Sequence, residues 1–195
     1  MLAEYNASVL DKEVDNCLEI RDGDVISIPD EHSAESHSSD LTLQAIFTPG
    51  HAKDHMSFYF KKENSMFVGD NILGNSSTVV EDLKSYLASL KIMQSTKANI
   101  LYTGHGQLEN YETFQKYINH RLNREKQILD YFKKCGKDQV LSPDKFVDAI
   151  YIPEGLDQKL YMPACGNVLT CLTKLCVEGV VARRVDCGPY HFELK

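Results

Sequence analysis

The first half of the chain alternates apolar and polar positions, as β-strands with one buried face do. Residues 16–28 show this alternation on both sides of an Asp22-Gly23-Asp24 turn, which predicts a β-hairpin. The polar, serine-rich residues 29–40 that follow indicate a loop. Short strands are then predicted at residues 41–47, 57–62, 65–70 and 98–102.

Apolar positions spaced three and four residues apart predict helices in the middle of the chain. One helix is expected over residues 83–93, and residues 111–134 predict either one long amphipathic helix or two joined ones. Cys135-Gly136-Lys137-Asp138 then interrupts the helical pattern, which is typical of a connection between domains. We therefore predict two domains, residues 1–136 and residues 137–195.

The second predicted domain has the element order of a winged helix. Ser142-Pro143-Asp144 predicts a helix start, with Ser142 as the N-cap and Pro143 in the first turn. A further helix is expected over residues 164–178, and it ends at Gly179. Residues 180–195 predict a two-stranded hairpin. Helices followed by such a hairpin indicate a winged-helix-like domain.

Composition narrows the partners and compartments that fit the chain. The net charge of -7 excludes a surface that binds nucleic acid over its whole extent, so any RNA contact must be local. No apolar run reaches the roughly 20 residues of a membrane span, so no membrane contact is expected. Residues 1–10 lack the features of a secretory signal. Six cysteines without a CxxC pair favour reduced thiols and an intracellular compartment.

Three segments of the chain share one design, in which an apolar strand ends in a glycine turn that presents a metal-binding side chain. AIFTPGH ends in His51, MFVGD ends in Asp70, and ILYTGHG presents His105. Glycine lets the backbone of each turn approach a ligand closely. Two imidazoles and a carboxylate suit zinc or a similar divalent ion, and an Asp can bridge two ions with its two oxygens. These residues are the candidate metal ligands.

The order of these motifs strongly resembles the later motifs of the metallo-β-lactamase superfamily. The matching stretches are TPGHxxxH, FVGD and YTGHG. The resemblance implies an αββα metallo-β-lactamase fold of the α/β class, with a centre for two zinc ions. It makes His51 a ligand of the first ion, Asp70 the carboxylate that bridges both ions, and His105 a ligand of the second.

A closer resemblance is to the lactamase-beta-like-2 group, which includes a mitochondrial endoribonuclease acting on single-stranded RNA. It runs through GHAKDHMSFYF, GDNILG, TVVEDLKSYLASL, YTGHG and INHRLNREKQIL, and it covers most of the chain. That group also carries a carboxyl-terminal winged-helix-like domain. The resemblance therefore implies zinc-dependent hydrolysis of single-stranded RNA, in the mitochondrial matrix or otherwise in the cytoplasm.

One motif of the family is missing from the sequence. The HxHxDH motif supplies two His to the first metal, and an Asp and a His to the second. The only histidines upstream of His51 are His32 and His37, which lie in the serine-rich loop without an Asp-His partner. We therefore expect a fold that is incomplete on its amino-terminal side. Because a catalytic zinc ion normally has three protein ligands, this chain alone is expected to bind metal weakly and to hydrolyse little.

Two alternatives to RNA hydrolysis stay open. Glyoxalase-II-like thioesterases share the metal motifs, although their helical terminal extension disfavours them here. The chain is otherwise a non-catalytic interaction fragment, which the absence of HxHxDH supports. The sequence does not indicate an oligomeric state.

Asp54 and His55 follow His51 closely and are candidates for a supporting role. A hydrogen bond from a second layer of residues fixes the orientation of a metal ligand in many sites. Helix capping or turn packing by Asp54 explains the same pattern equally well. Neither residue is therefore counted among the ligands.

Three residues on the long helix are candidates for substrate binding. His120, Arg121 and Arg124 lie on one stretch, where they are suited to hold an RNA phosphate through charge-assisted hydrogen bonds. Ion pairs with Glu125 and other neighbours on a solvated face are the alternative. The winged helix is expected to cover the active-site groove as a lid rather than to read a duplex.

Overall fold

The computed structural model describes residues 19–28, 41–75, 77–136 and 139–195. The predicted loop at 29–40, with His32 and His37, lies outside the described residues, as do residues 16–18 of the predicted hairpin. The first part of the chain forms one sheet with helices on one face.

Six strands form this sheet in the order β1-β2-β3-β4-β5-β6. All neighbours are antiparallel except β4 and β5, which run parallel. The strands predicted in the middle of the chain are confirmed. Their bounds are β1 Val25–Ile28, β2 Leu41–Phe47, β3 Met56–Phe60, β4 Ser65–Gly69, β5 Ile100–Thr103 and β6 Glu109–Asn110.

The predicted hairpin around Asp22 has a different pairing in the structure. Residues 19–21 are not a strand, and β1 pairs with β2. The turn itself docks on the end of β2, because the Asp22 carboxylate accepts a hydrogen bond from the Phe47 amide at 2.7 Å and the Gly23 amide donates to the Ala45 carbonyl at 2.9 Å. The turn at Asp22-Gly23 was therefore predicted correctly, but the predicted pairing of the residues before and after this turn was not.

The helix α1, Leu83–Ser95, connects the parallel strands β4 and β5 and packs on one face of the sheet. The helix α2, Glu112–Cys135, is a single helix on the same side, which settles the choice between one helix and two. Side chains from the sheet and both helices are buried together between the layers. They include Ile46, Met66, Val68, Leu101, Leu87, Leu90, Met93, Phe114 and Ile118.

The opposite face of the sheet is apolar and exposed. Phe58, Phe67 and Tyr102 are neighbours across β3, β4 and β5, so their side chains share that face. Phe67 is 41% exposed and stacks on Tyr102 with ring centroids 4.8 Å apart, and Phe47 at the end of β2 is 42% exposed. Large aromatic side chains on an open sheet face form the kind of surface that another layer covers in layered folds.

The second part of the chain has helices followed by a hairpin, as predicted. The helix α3, Pro143–Phe146, continues into a π-helical turn at Val147–Tyr151, and α4 covers Tyr161–Val177. The strands β7, Val181–Arg183, and β8, Phe192–Leu194, pair antiparallel as the hairpin. Ser142 is the N-cap of α3 and Pro143 occupies its first turn, as predicted, although the Ser142 side chain makes no capping hydrogen bond.

The core of this part is continuous with α2. Phe146 is fully buried and meets Phe132 of α2 edge to face, with ring centroids 4.8 Å apart. The domain boundary at residue 136 therefore stays a prediction, since apolar packing crosses it. Among the described cysteines none forms a disulfide, and Cys171 is buried, where desolvation raises the pKa of its thiol to about 12.

One segment has the length and apolar composition of a membrane span, so the expectation of no membrane contact stays a prediction. Gln158–Val177 is a 20-residue helical stretch with mean hydropathy 1.3, so by length and composition it is able to cross a membrane. In the structure this segment packs as a helix of the winged-helix part. Val168, Leu172 and Leu175 are buried in the core, and Lys174 forms ion pairs of 2.8 Å with Glu125 and Glu178.

The start of α1 is tied to the turn after β2. The Asp82 carboxylate accepts hydrogen bonds from the Lys84 amide at 2.9 Å and from the Ser85 hydroxyl at 2.7 Å, and the Asp82 amide donates to the Gly50 carbonyl at 3.0 Å. The Ser85 hydroxyl and the helix amides lower the pKa of Asp82. Asp82 is thus the N-cap that fixes α1 to the sheet.

Replacing Asp82 with Ala is expected to lower the free energy of unfolding by about 1 kcal/mol at pH 7. Because the folded-state pKa lies below the ordinary value of 3.8, the contribution of Asp82 is present above that value and is lost as the pH falls through the folded-state pKa. Urea unfolding at several pH values measures this. Asp130→Ala on the exposed face of α2 is the control and should change little. Equal stability of D82A and the unmodified chain at pH 7 would contradict the assignment.

Candidate metal centre

The three predicted ligands lie at one edge of the sheet. β2 and β4 run in the same direction, since each is antiparallel to β3, and β5 is parallel to β4. The carboxyl ends of these three strands therefore meet at the same edge. His51 follows β2, Asp70 follows β4 and His105 follows β5.

Asp70 lies between the two imidazoles. Its Oδ2 is 3.8 Å from Nε2 of His51, and its Oδ1 is 3.5 Å from Nε2 of His105. With bonds of 2.0–2.2 Å, two ligands of one tetrahedral zinc ion lie about 3.4 Å apart. Each imidazole is thus placed to share an ion with a different oxygen of Asp70.

The geometry defines two half-sites, one formed by His51 with Oδ2 of Asp70 and one by His105 with Oδ1 of Asp70. Both have fewer ligands than a complete zinc site. Within the described part of the chain, no three His, Cys, Asp or Glu side chains form a group that holds one metal ion. Each half-site has one imidazole and one carboxylate oxygen, whereas catalytic zinc normally has three protein ligands. The donor set therefore fits the shared part of a two-metal centre, and weak metal binding by this chain alone stays a prediction.

Contacts at Nδ1 hold the ring of His51 in one orientation. Its Nδ1 lies 2.8 Å from the Val79 carbonyl oxygen and 3.1 Å from Oγ1 of Thr78. A carbonyl oxygen only accepts, so Nδ1 carries the proton in this arrangement. The lone pair of Nε2 is then free on the side of Asp70, as a metal ligand requires.

Two glycines make room for this arrangement. A Cβ atom on Gly104 would overlap Oδ1 of Asp70, and a Cβ atom on Gly50 would overlap the backbone of Tyr86 in α1. Gly50 also has a φ of +133°, a conformation that side chains disfavour. The turns after β2 and β5 therefore need glycine where the sequence has it.

His55 supports the centre from the buried side. Its Nδ1 is 3.1 Å from the Asn71 side-chain amide and 2.9 Å from Oγ1 of Thr48. The Asn71 amide also donates to the Thr48 carbonyl, so it acts as the donor to His55. Burial, and next the nearby His51, lower the pKa of His55. His55 is consequently neutral at pH 7 and its Nδ1 is used in this network, while Asp54 is exposed.

Thr78 is a supporting residue that the sequence reasoning did not single out. It is 2% exposed, and its hydroxyl lies within hydrogen-bonding distance of both the Asp70 carbonyl oxygen, at 2.5 Å, and Nδ1 of His51. The sequence did contain a signal for Thr78, because this residue is the first of the TVVEDLKSYLASL segment that carries the family resemblance. A threonine before a helix is read first as a capping residue, however, and Asp82 is the residue that caps α1.

The candidate substrate-binding residues of the long helix have partners within the chain, and their role in substrate binding stays a prediction. Arg121 is 6% exposed and donates to the Thr78 carbonyl at 2.6 Å, so its guanidinium is not available to a phosphate. Arg124 pairs with Glu154 at 3.0 Å and lies 3.9 Å above the Tyr151 ring. Burial, followed by these two arginines, lowers the pKa of His120, which is therefore uncharged at pH 7. Neither arginine forms the expected ion pair with Glu125 among the described contacts.

Replacing Asp70 with Asn is expected to weaken zinc binding by at least about tenfold, because it removes the negative charge shared by both half-sites and the oxygen donor of one of them. Competition with a chromophoric chelator measures this affinity. Asp54→Asn is the matched control, since it removes the same charge from an exposed position nearby. If D70N and D54N bind zinc equally well, Asp70 is not the shared ligand.

Comparison with known families agrees with the fold and the motifs. Residues 5–105 match the family described as "Metallo-beta-lactamase superfamily". Residues 142–188 match "Beta-lactamase associated winged helix domain". The two matches follow each other in the order of the two structural parts.

Curated relatives have several names. Thioesterase pkgB of Emericella nidulans is 48% identical over 89 residues, which are 45% of this chain and 26% of the relative. The Beta-lactamase-like protein 2 homolog of Caenorhabditis elegans is 37% identical over 142 residues, 72% of this chain and 46% of the relative. An atrochrysone carboxyl ACP thioesterase of Aspergillus fumigatus is 40% identical over 163 residues, 77% of this chain and 51% of the relative. The chain thus spans about half the length of these relatives, or less.

Solved structures share the fold across both parts of the chain. A metallo-beta-lactamase family protein from Thermus thermophilus superposes with a TM-score of 0.68 at 23% identity, over 92% of this chain and 55% of that one. A beta-lactamase domain protein from Burkholderia ambifaria has a TM-score of 0.74 at 19% identity, over 93% and 53%. With the family match and the strand-end ligands, these likenesses lead to one conclusion: the chain belongs to the metallo-β-lactamase superfamily, with the winged-helix domain associated with that family at its carboxyl end.

Proposed function

We propose that this chain carries the shared-carboxylate part of a two-metal hydrolase centre that acts on an acyl thioester. The observation that carries the hydrolase proposal is the placement of the two Asp70 oxygens, 3.8 Å from Nε2 of His51 and 3.5 Å from Nε2 of His105. When bound, a pair of zinc ions supplies a nucleophile from water and offsets the charge that develops on the substrate. Completion of the pair needs ligands beyond these three.

The chain's own residues have defined tasks in this scheme. Asp70 would be shared between the two ions, and His51 and His105 would each hold one of them. The Val79 carbonyl and Thr78 keep Nε2 of His51 directed at the centre. His51 has a side-chain exposure of 27% and His105 one of 71%, so the His51 side is the more enclosed.

The substrate class is proposed from a groove lined by the 77–80 segment, which contacts His51. A cavity of about 460 Å³ lies between residues 77–80, which hold His51, and the winged-helix part, where Leu156, Leu160 and Pro163 line it. This volume is within the range of small-molecule sites. The described residues that line it include no Asp, Glu, Lys, Arg or His. An apolar acyl group fits such a lining better than a phosphodiester backbone does.

Two further observations support the thioester proposal. Relatives that are 48% and 40% identical to this chain are named thioesterases, and the second is named for an acyl carrier protein thioester. In addition, the two cations expected to bind RNA phosphates already have partners, Arg121 the buried Thr78 carbonyl and Arg124 the exposed Glu154 carboxylate. Both observations favour an acyl substrate.

Hydrolysis of single-stranded RNA is the second candidate. It is favoured by the resemblance that runs from GHAKDHMSFYF to INHRLNREKQIL, and the relative from Caenorhabditis elegans matches 72% of this chain. The cations that such a substrate needs would have to come from residues other than Arg121 and Arg124. A non-catalytic interaction role is the third possibility.

One experiment separates these candidates. The part of the Caenorhabditis elegans relative that precedes its aligned segment is fused to this chain before residue 19, and the zinc-loaded chimera is given two substrates. We expect hydrolysis of a benzoyl thioester of N-acetylcysteamine, abolished by D70N, and no cleavage of a 20-nucleotide single-stranded RNA. Cleavage of the RNA alone would instead establish the second candidate. Loss of both activities in a chimera that binds two zinc ions would support the non-catalytic role.

The groove makes a separate prediction about specificity. Leu160 lines the groove and is 53% exposed, so Leu160→Asp should leave the chimera folded. Its carboxylate should raise KM for the benzoyl thioester by about tenfold or more, since it introduces a charge beside an apolar acyl group. Leu122→Asp on α2, where Leu122 is 45% exposed, is the control. Equal KM values for both variants would exclude the groove as the acyl site.

A further inference from the structure

Arg121 is a buried cation without a carboxylate partner among the described residues. It is 6% exposed, and no Asp or Glu of the described ranges forms an ion pair with it. Its Nε atom is buried and has no hydrogen-bond partner among the described groups. Burying a charge in this way costs free energy unless its remaining contacts offset the loss of water. The position of these contacts therefore indicates what the charge is for.

The guanidinium joins three parts of the molecule. Its Nη2 donates to the Thr78 carbonyl at 2.6 Å and to the Ser77 hydroxyl at 3.3 Å. Its Nη1 donates to the Asn167 side chain of α4 at 3.5 Å, and the guanidinium lies 5.6 Å from the centre of the Tyr86 ring of α1. The short bond to a carbonyl is the strongest of these contacts by geometry.

The residues held by Arg121 are the ones that orient the metal centre. The Thr78 hydroxyl lies against the Asp70 carbonyl oxygen and Nδ1 of His51, and the next residue, Val79, accepts from Nδ1 of His51 at 2.8 Å. A single residue thus separates the guanidinium from two metal ligands. A shift of the 77–80 segment moves the acceptor that fixes the His51 ring.

The winged-helix part supports the same segment from the other side. The Thr170 hydroxyl of α4, which donates to the Gly166 carbonyl of its own helix at 2.8 Å, also lies 3.3 Å from the Val80 carbonyl oxygen, and Asn167 accepts from Arg121. The 77–80 segment is therefore clamped between α2 and α4. The carboxyl-terminal part therefore contacts the 77–80 segment, and this segment in turn contacts His51.

We propose that Arg121 is a positioning residue of the metal centre, which holds the 77–80 segment so that His51 keeps its proton on Nδ1 and directs Nε2 at Asp70. The inference rests on the proposed function only in treating His51 as a metal ligand. It assigns Arg121 no contact with substrate. The orientation of the ring is a property of the chain before any metal is bound.

The test is NMR of the histidine ring nitrogens in the 195-residue chain without metal. The unmodified chain should show His51 as the Nδ1-protonated tautomer. Arg121→Met should give a mixture of the two tautomers and weaken zinc binding by about tenfold or more. Arg121→Lys, which can still donate to the Thr78 carbonyl, should restore much of both properties.

Lys174→Met is the matched control. Lys174 is a half-buried cation that pairs with Glu125 and Glu178, so its loss removes interior ion pairs away from the 77–80 segment. K174M should lower stability and leave the His51 signals and zinc affinity unchanged. If R121M unfolds the chain, Asn167→Ala removes one contact of the clamp and should shift the tautomer ratio in the same direction by a smaller amount.

Three results would overturn the proposal. They are wild-type His51 signals and zinc affinity in a folded R121M, equal changes in K174M, and, where R121M does not fold, an unchanged tautomer ratio in N167A. These readouts need neither substrate nor the completed centre. A shifted tautomer together with an inactive chimera would therefore reject the proposed function alone, while an active chimera with an unchanged tautomer would reject the role of Arg121 alone.

Discussion

The placement of one carboxylate between two imidazoles is the constraint on which the rest of the structure depends. Asp70 meets His51 and His105 with different oxygens, although the three residues are far apart in the chain. Parallel strand direction brings them together, because β2, β4 and β5 all end at the same edge of the sheet. The helices that pack on the sheet keep this edge in position.

Three helices contact the segments next to this edge of the sheet. α1 begins at Asp82, whose amide is bonded to the Gly50 carbonyl next to His51. α2 carries Arg121, and α4 carries Thr170, and both contact the backbone of the segment that orients His51. The winged-helix part is consequently more than an appended domain, since it shares a continuous core with α2 and contacts the 77–80 segment that orients His51.

Local signals in the sequence were sufficient for the strands, the helices and the convergence of the ligands. Each ligand follows an apolar strand and a glycine turn, and such a pattern predicts its own geometry. Pairing over long distances was less accessible. The partner of β1 depends on how the Asp22 turn docks on β2, and the role of Arg121 depends on Thr78, 43 positions away. An arginine at an apparently solvated helix position gives no local sign that it is buried.

Among the described residues, each half-site has one imidazole and one carboxylate oxygen, and one face of the sheet is aromatic and exposed. Phe47 and Phe67 are more than a third exposed on the face away from α1 and α2, and the chain spans about half the length of relatives such as the one from Caenorhabditis elegans. A second layer on that face would lie beside the edge that carries Asp70. The shared position of Asp70 between His51 and His105 depends only on residues of this chain.

Cobalt(II) titration of the isolated chain, followed through the contact-shifted imidazole signals, tests that claim most directly. The account predicts that the signals of His51 and His105 shift together as cobalt is added, and that those of His120 on α2 and His191 near the terminal hairpin do not. A response of only one member of the pair, or an equal response of His120 or His191, would contradict a centre shared through Asp70.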